Sequence, residues 1–159
     1  MIIQTKDTTG TPNGTLMPLW SAADKLGRLY TPQQVYAVTI PPGAVKGPHL
    51  HRRRCGYFFC LAGHVQLTVN AKLPDGARWA KFHDRREYRT YDMYAGDGPV
   101  LVLPGDPAEI RCAGDTVAIV VNMPDRPWTA EDPDDHPDDP LVKEWNPTNV
   151  RFVESLHGA

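Results

Sequence analysis

His49 and His51 stand one residue apart, directly after the break Gly43-Ala-Val-Lys-Gly-Pro, and they are the residues of this chain best suited to chemistry. The ordinary pKa of histidine, about 6.5, lies close to neutral pH, so an imidazole can both take up and release a proton there. Side chains at i and i+2 of a strand point to the same face. If that face is the inner one, both rings enter a single cavity, with Lys46 three residues upstream of His49 at its mouth.

Such a pair needs a scaffold, and the surrounding sequence reads as β. Short apolar and β-branched runs recur between turn signals, with little helical period. Strands are expected over 34–40, ending at Pro41-Pro42-Gly43, over 56–61, stopping at Ala62-Gly63, and over 64–69 directly after that turn or bend. Further strands are expected over 85–91, over 99–103 and over 116–122, the last so continuously apolar that it suits burial on both faces. This spacing predicts an all-β fold, a double-sheet barrel or sandwich. No repeat or second domain is visible, so 1–159 is expected to be one domain with its core over about 30–123. The remaining 124–159 reads as an arm. Glu131-Asp-Pro-Asp-Asp-His-Pro-Asp-Asp-Pro140 is too rich in Pro and Asp for a regular element and suits a solvated loop, a lid or an interface segment. Trp128 and Trp145 flank it, and large aromatics usually dock.

Composition narrows the partners. A net charge of −2 over 159 residues gives no general attraction to nucleic acid or to an anionic membrane. No apolar run approaches the roughly 20 residues of a membrane helix. The three cysteines, Cys55, Cys60 and Cys112, lack CxxC spacing, so they suggest reduced thiols and a cytoplasmic protein rather than a disulfide framework or a thiolate zinc site. No Gly-rich loop precedes a helix, so a P-loop or dinucleotide site has no support.

The spacing Gly43-x5-His49-x-His51, then a strand ending at Gly63, then Gly98-x5-Pro104, resembles the two motifs of the cupin superfamily. Two positions depart from it. The glutamate of the cupin metal site would fall at Cys55 or Gly56, and the histidine of the second motif falls at Glu109. Within the superfamily the chain is similar to the dTDP-4-dehydrorhamnose 3,5-epimerase-like group and its sugar 3,4-ketoisomerase relatives. The likeness lies in Asn13-Gly14-x-Leu16, Gln34-x-Tyr36-x-Val38-Thr39, Lys46-Gly-x-His49-x-His51, Cys60-Leu-x-Gly63-x-Val65 and Asn122-x-Pro124-x-x-Pro127-Trp128 leading to Asp132-Pro-Asp134. The resemblance implies a cupin jelly-roll barrel, a nucleotide-diphosphate sugar as substrate, no cofactor and a homodimer. The run 14–20 is the expected dimer contact.

The implied chemistry is enolisation. A 4-keto sugar acidifies its neighbouring C–H bonds, so a base can remove one hydrogen, and reprotonation then epimerises the carbon or moves the carbonyl. His49 matches the family's base, His51 is a second base or shuttle, and Lys46 stands where relatives often carry an arginine that faces the developing oxyanion. Asp134 or Asp135 is the expected acidic partner of the base. Arg52 and Arg54 are expected to hold the diphosphate, and Tyr36, Tyr57 and Gln34 to contact the sugar or base, although a surface charge run and core aromatics are the plainer readings. The epimerases' acid tyrosine has no counterpart in Val120-Val121-Asn122, which favours ketoisomerisation, a single epimerisation or lost activity. Two alternatives stay open. One is a metal cupin binding Fe or another divalent ion through His49, His51 and Glu109. The other is a noncatalytic sugar-binding cupin. His64, His83, His136 and His157 show no partner in the sequence and are left outside the site.

Overall fold

The computed structural model describes residues 2–21, 30–74 and 85–153. Eleven strands and one helical turn are formed among them. A hairpin of β1 (Ile3–Lys6) and β2 (Pro12–Leu16) stands as its own two-stranded sheet. It is followed by β3 (Tyr36–Ile40), β4 (Val45–His49), β5 (Gly56–Ala62), β6 (His64–Lys72), β7 (Arg86–Tyr94), β8 (Val100–Val102), β9 (Ala108–Cys112) and β10 (Ala118–Pro124). The arm then makes one helical turn, α1 (Pro140–Lys143), and a last strand, β11 (Val150–Val153). Two sheets carry the fold, one ordered β3-β10-β5-β8 and the other β11-β7-β6-β9-β4. The architecture is the all-β cupin jelly roll, with the two sheets packed face to face.

Alternation explains which side chains enter the space between the sheets. Along β5, Gly56, Phe58 and Cys60 face inward while Tyr57, Phe59 and Leu61 face outward. Along β10, Ala118 and Val120 join the inner core, while Val121 and Met123 join a second cluster on the outer face with Leu19 and Tyr30. That second cluster explains the unbroken apolar run of 116–122, since this central strand is covered on both sides. The inner core gathers Ile40, Val65, Leu67, Met93, Ile110 and Cys112. Fully burying one such side chain is worth about 1.5–3 kcal/mol.

The bend at Gly63 takes the chain from one sheet to the other. Its φ of +76° is a backbone state that favours glycine, and an added Cβ would lie 2.9 Å from Ala118 Cα. The strands of greatest apolar alternation were legible, whereas β4, β9, β1, β2 and β11 are short or polar and carry little such pattern.

Candidate active site

The two histidines reach the cavity by a different route from a regular strand. β4 ends at His49, and its pairing with β9 shifts register between Lys46 and His49. Gly47 sits at that shift with φ +101°, and a Cβ there would come within 2.7 Å of Ala108 O, so only glycine lets β4 approach β9 this closely. Leu50, fully buried, anchors the next residue in the core. His51 then lies beyond the strand, in the connection to β5. Both rings line one cavity of about 190 Å³ between the sheets and stack nearly parallel, with centroids 6.4 Å apart and planes 5° apart. Lys46 and Glu109 line the same sheet's wall, and Tyr36, Phe58, Val120 and Asn122 line the facing wall.

The arm supplies the polar partners of both imidazoles. Asp135 Oδ2 lies 3.1 Å from His49 Nδ1. The backbone oxygen of Asp134 lies 2.5 Å from His51 Nδ1, and a carbonyl only accepts, so that nitrogen carries the proton. Arg54 Nη2 is 3.2 Å from His51 Nδ1 and 3.1 Å from Nε2. A nitrogen equidistant from both cannot lie along either in-plane lone pair, so the guanidinium rests against the face of the ring. Burial pushes the His51 pKa below its ordinary value, the Asp134 carbonyl pulls it up and the Arg54 charge pushes it down. The net direction is down, so His51 is neutral at pH 7.

Asp134 is fastened in turn. Its carboxylate accepts the successive backbone N–H groups of Arg52, Arg53 and Arg54 at 3.2, 2.9 and 3.0 Å, and its Oδ1 lies 3.0 Å from His136 Nε2. Burial alone would raise the Asp134 carboxyl, but these bonds outweigh it and hold the pKa at about 2. The seam continues with His136 N–H on Leu50 O at 3.1 Å and Cys55 N–H on Asp125 Oδ1 at 2.9 Å. Farther along, Trp145 donates Nε1–H to Glu109 Oε2 at 3.1 Å and packs edge-on against Tyr88.

No family profile matches the chain, and no curated protein matches it significantly. Solved structures do. A dTDP sugar isomerase from Desulfovibrio desulfuricans G20 superposes with a TM-score of 0.65 at 16% identity, covering 95% of this chain and 88% of that one. The capsular polysaccharide assembling protein CapF from Staphylococcus aureus gives 0.54 at 20% identity over 67% of this chain, which spans only 28% of CapF. A dTDP-4-dehydrorhamnose 3,5-epimerase from Elizabethkingia anophelis NUHP1 gives 0.50 at 15% identity, over 63% of this chain and 53% of that one. The chain has an RmlC-like cupin fold.

Within this fold, six of the expected residues meet in one cavity: His49, His51, Lys46, Arg54, Tyr36 and Glu109. Four expected placements are corrected. Tyr57 falls on the outer face of β5, where it is buried against Tyr30 at 5.0 Å, because strand alternation sends it away from Phe58. Gln34 lies before β3 and its Oε1 accepts the Trp128 N–H at 2.7 Å, tying the arm instead of touching the cavity. Arg52 is turned outward and pairs with Asp139. Asp134 aims its carboxylate into the amides of Arg52–Arg54, and it is Asp135 that meets His49.

Asn122 went unrecognised. It donates Nδ2–H to Tyr36 OH at 2.8 Å across the β3–β10 ladder, and the one amide in an otherwise apolar strand was its signal. The expected isolation of two further histidines is also corrected. His64 bonds Asp92 at 2.9 Å and stacks on Tyr94, and His136 bonds Asp134. His83 and His157 lie outside the described residues.

Among the described residues no group of three His, Cys, Asp or Glu side chains is gathered to hold an ion, and Glu109 Oε2 accepts the Trp145 N–H.

Proposed function

We propose that this protein is a metal-independent isomerase of a nucleotide-linked 4-keto-6-deoxysugar, working by histidine-mediated enolisation. The observation that carries the reading is the pair of parallel imidazoles in one cavity, one backed by a carboxylate and the other donating Nδ1–H to a backbone carbonyl. His49, with Asp135 on Nδ1, removes the hydrogen from the carbon beside the carbonyl through Nε2, and the electron pair moves onto the carbonyl oxygen to give an enolate. Lys46 supplies a cation to that oxygen. His51, on the same wall, carries the hydroxyl proton of the neighbouring carbon to the former carbonyl oxygen, and His49 returns its proton to the former carbonyl carbon, so the carbonyl moves one carbon along the ring. Two bases on one wall favour this 3,4-ketoisomerisation over inversion, which needs groups on opposite faces of the sugar ring. Arg54 is placed to meet the nucleotide diphosphate.

The likeness to a dTDP sugar isomerase over nearly the whole of both chains supports the substrate class, and CapF supports a place in surface polysaccharide synthesis. The three cysteines are free and buried, which fits a reducing cytoplasm. Among the described residues no helix is long and apolar enough to cross a membrane. The β1–β2 hairpin exposes Ile3 and Leu16, which fits a contact between two copies of this chain. The test is to incubate the protein with dTDP-4-keto-6-deoxyglucose in deuterated water. NMR should show deuterium entering the sugar carbons next to the carbonyl and a 3-keto product. The absence of both with this and related keto sugars rejects the reading.

A further inference from the structure

The contacts made at and beside Asp134 do separate jobs. Its carboxylate is fixed by three successive amides of Arg52–Arg54, its carbonyl reaches His51 Nδ1, and its chain neighbour Asp135 reaches His49. The residue is 9% exposed and has φ +45°, a left-handed backbone that non-glycine residues keep only where surrounding bonds determine it. If this residue turned to an ordinary conformation, the carbonyl and the Asp135 side chain could not both keep their places.

We propose that Asp134 is the positioning residue of the site: its anchored carboxylate fixes the carbonyl that locks His51 in the Nδ1–H tautomer, and it sets Asp135 on His49. Both histidines then present the same nitrogen, Nε2, with its lone pair open, and neither ring flips to offer a donor instead. The face-on Arg54 leaves the in-plane lone pair of His51 untouched. Asp134 thus acts through the histidines and does not touch the substrate. Its consequence for enolisation rests on the function proposed above, whereas the tautomer does not.

The experiment is a long-range proton–nitrogen NMR correlation on the full chain labelled with 15N-histidine, with His51→Asn to assign the signals. In wild type, His51 Nδ1 should fall in the protonated range and Nε2 in the unprotonated range. In Asp134→Ala the His51 signals should move toward a mixture of tautomers. Deuterium uptake should then slow about 10- to 100-fold at little change in KM, the scale of a modest misplacement. Asp134→Asn keeps one acceptor oxygen and should lie between, and it replaces the alanine variant if that fails to fold. A wild-type spectrum with His51 protonated at Nε2 overturns the proposal without any variant. A folded Asp134→Ala protein with His51 unchanged also overturns it. The expected tautomers with no uptake in wild type uphold the role of Asp134 and reject the enolisation reading alone.

Discussion

His49 and Asp135 are joined Nδ1 to Oδ2 at 3.1 Å across 86 residues of sequence, and the bond ties the arm to one of the two histidines of the cavity. A carboxylate on Nδ1 holds one tautomer and stabilises the imidazolium formed when Nε2 takes a proton. His49→Asn should therefore abolish deuterium uptake, a loss of about 100- to 10,000-fold on the usual scale of general-base catalysis. Asp135→Asn should keep the fold and the substrate affinity yet lower the rate by about tenfold or more, because the amide can present its N–H to Nδ1 and stabilise the wrong tautomer. Comparing kcat with KM for the two variants checks this.

Arg54 is 5% exposed and its Nη1 has no partner among the described residues. Its charge against the His51 face lowers that imidazole's pKa, after burial itself. Arg54→Met keeps the buried stem and removes the charge. An NMR titration should place the His51 midpoint below the ordinary value of about 6.5 in wild type and higher in the variant. The sign for stability follows. A histidine with a depressed folded pKa is protonated first in the unfolded chain, so its contribution is complete above the unfolded pKa and is lost as pH falls toward the folded one.

Gly47 shows why some of the site could be read before the fold was known and some could not. The Gly-Pro break before His49 signalled a special backbone, and the signal was sound: Gly47 lies where β4 slips against β9. The paired histidines, the alternation of β3 and β6 and the continuous apolar runs of β5 and β10 were equally visible, because burial on one face writes itself into sequence as a period of two and burial on both as an unbroken run. The role of the arm was not visible. Asp134 and Asp135 are adjacent and identical, and only the left-handed turn at Asp134 sends one carboxylate to backbone amides and the other to His49. Tyr57 and Phe58 likewise differ in face by one residue, which composition cannot assign. Gly47→Ala should destabilise the protein by about 1–3 kcal/mol in urea unfolding, the cost of a strained backbone. It should also slow deuterium uptake by displacing His49.

Acid should loosen the arm before the barrel. The Asp134 carboxyl sits at about 2 in the folded protein against an ordinary 3.8, so the unfolded chain takes up the proton first. A depressed carboxyl contributes stability above the unfolded pKa and loses it as pH falls through the folded one, here between roughly pH 5 and pH 1. The shift corresponds to about 2 kcal/mol at neutral pH. Unfolding in urea at pH 7 and pH 3 should show a smaller loss of stability in Asp134→Asn than in wild type, because the variant has already given up that contribution.

Tyr36 and Asn122 form the polar feature of the facing wall. They are opposite one another on β3 and β10, and Asn122 Nδ2–H bonds the phenol oxygen at 2.8 Å while Asn122 Oδ1 stays buried without a partner among the described residues. Because the phenol accepts from Asn122, its own proton is free to meet an oxygen of the sugar. Tyr36→Phe removes both bonds. It leaves the buried amide with neither donor nor acceptor satisfied, a cost of about 1–3 kcal/mol, and should raise KM without changing the His51 tautomer. Joining Asn122→Leu to it replaces the whole polar pair with apolar groups, which is nearly neutral where the shape is kept. The double variant should therefore be more stable than Tyr36→Phe alone while remaining just as poor in substrate binding. Urea midpoints and KM measured on the three proteins separate the two effects, and equal stability of the single and double variants would show that the Asn122 amide finds water in the cavity.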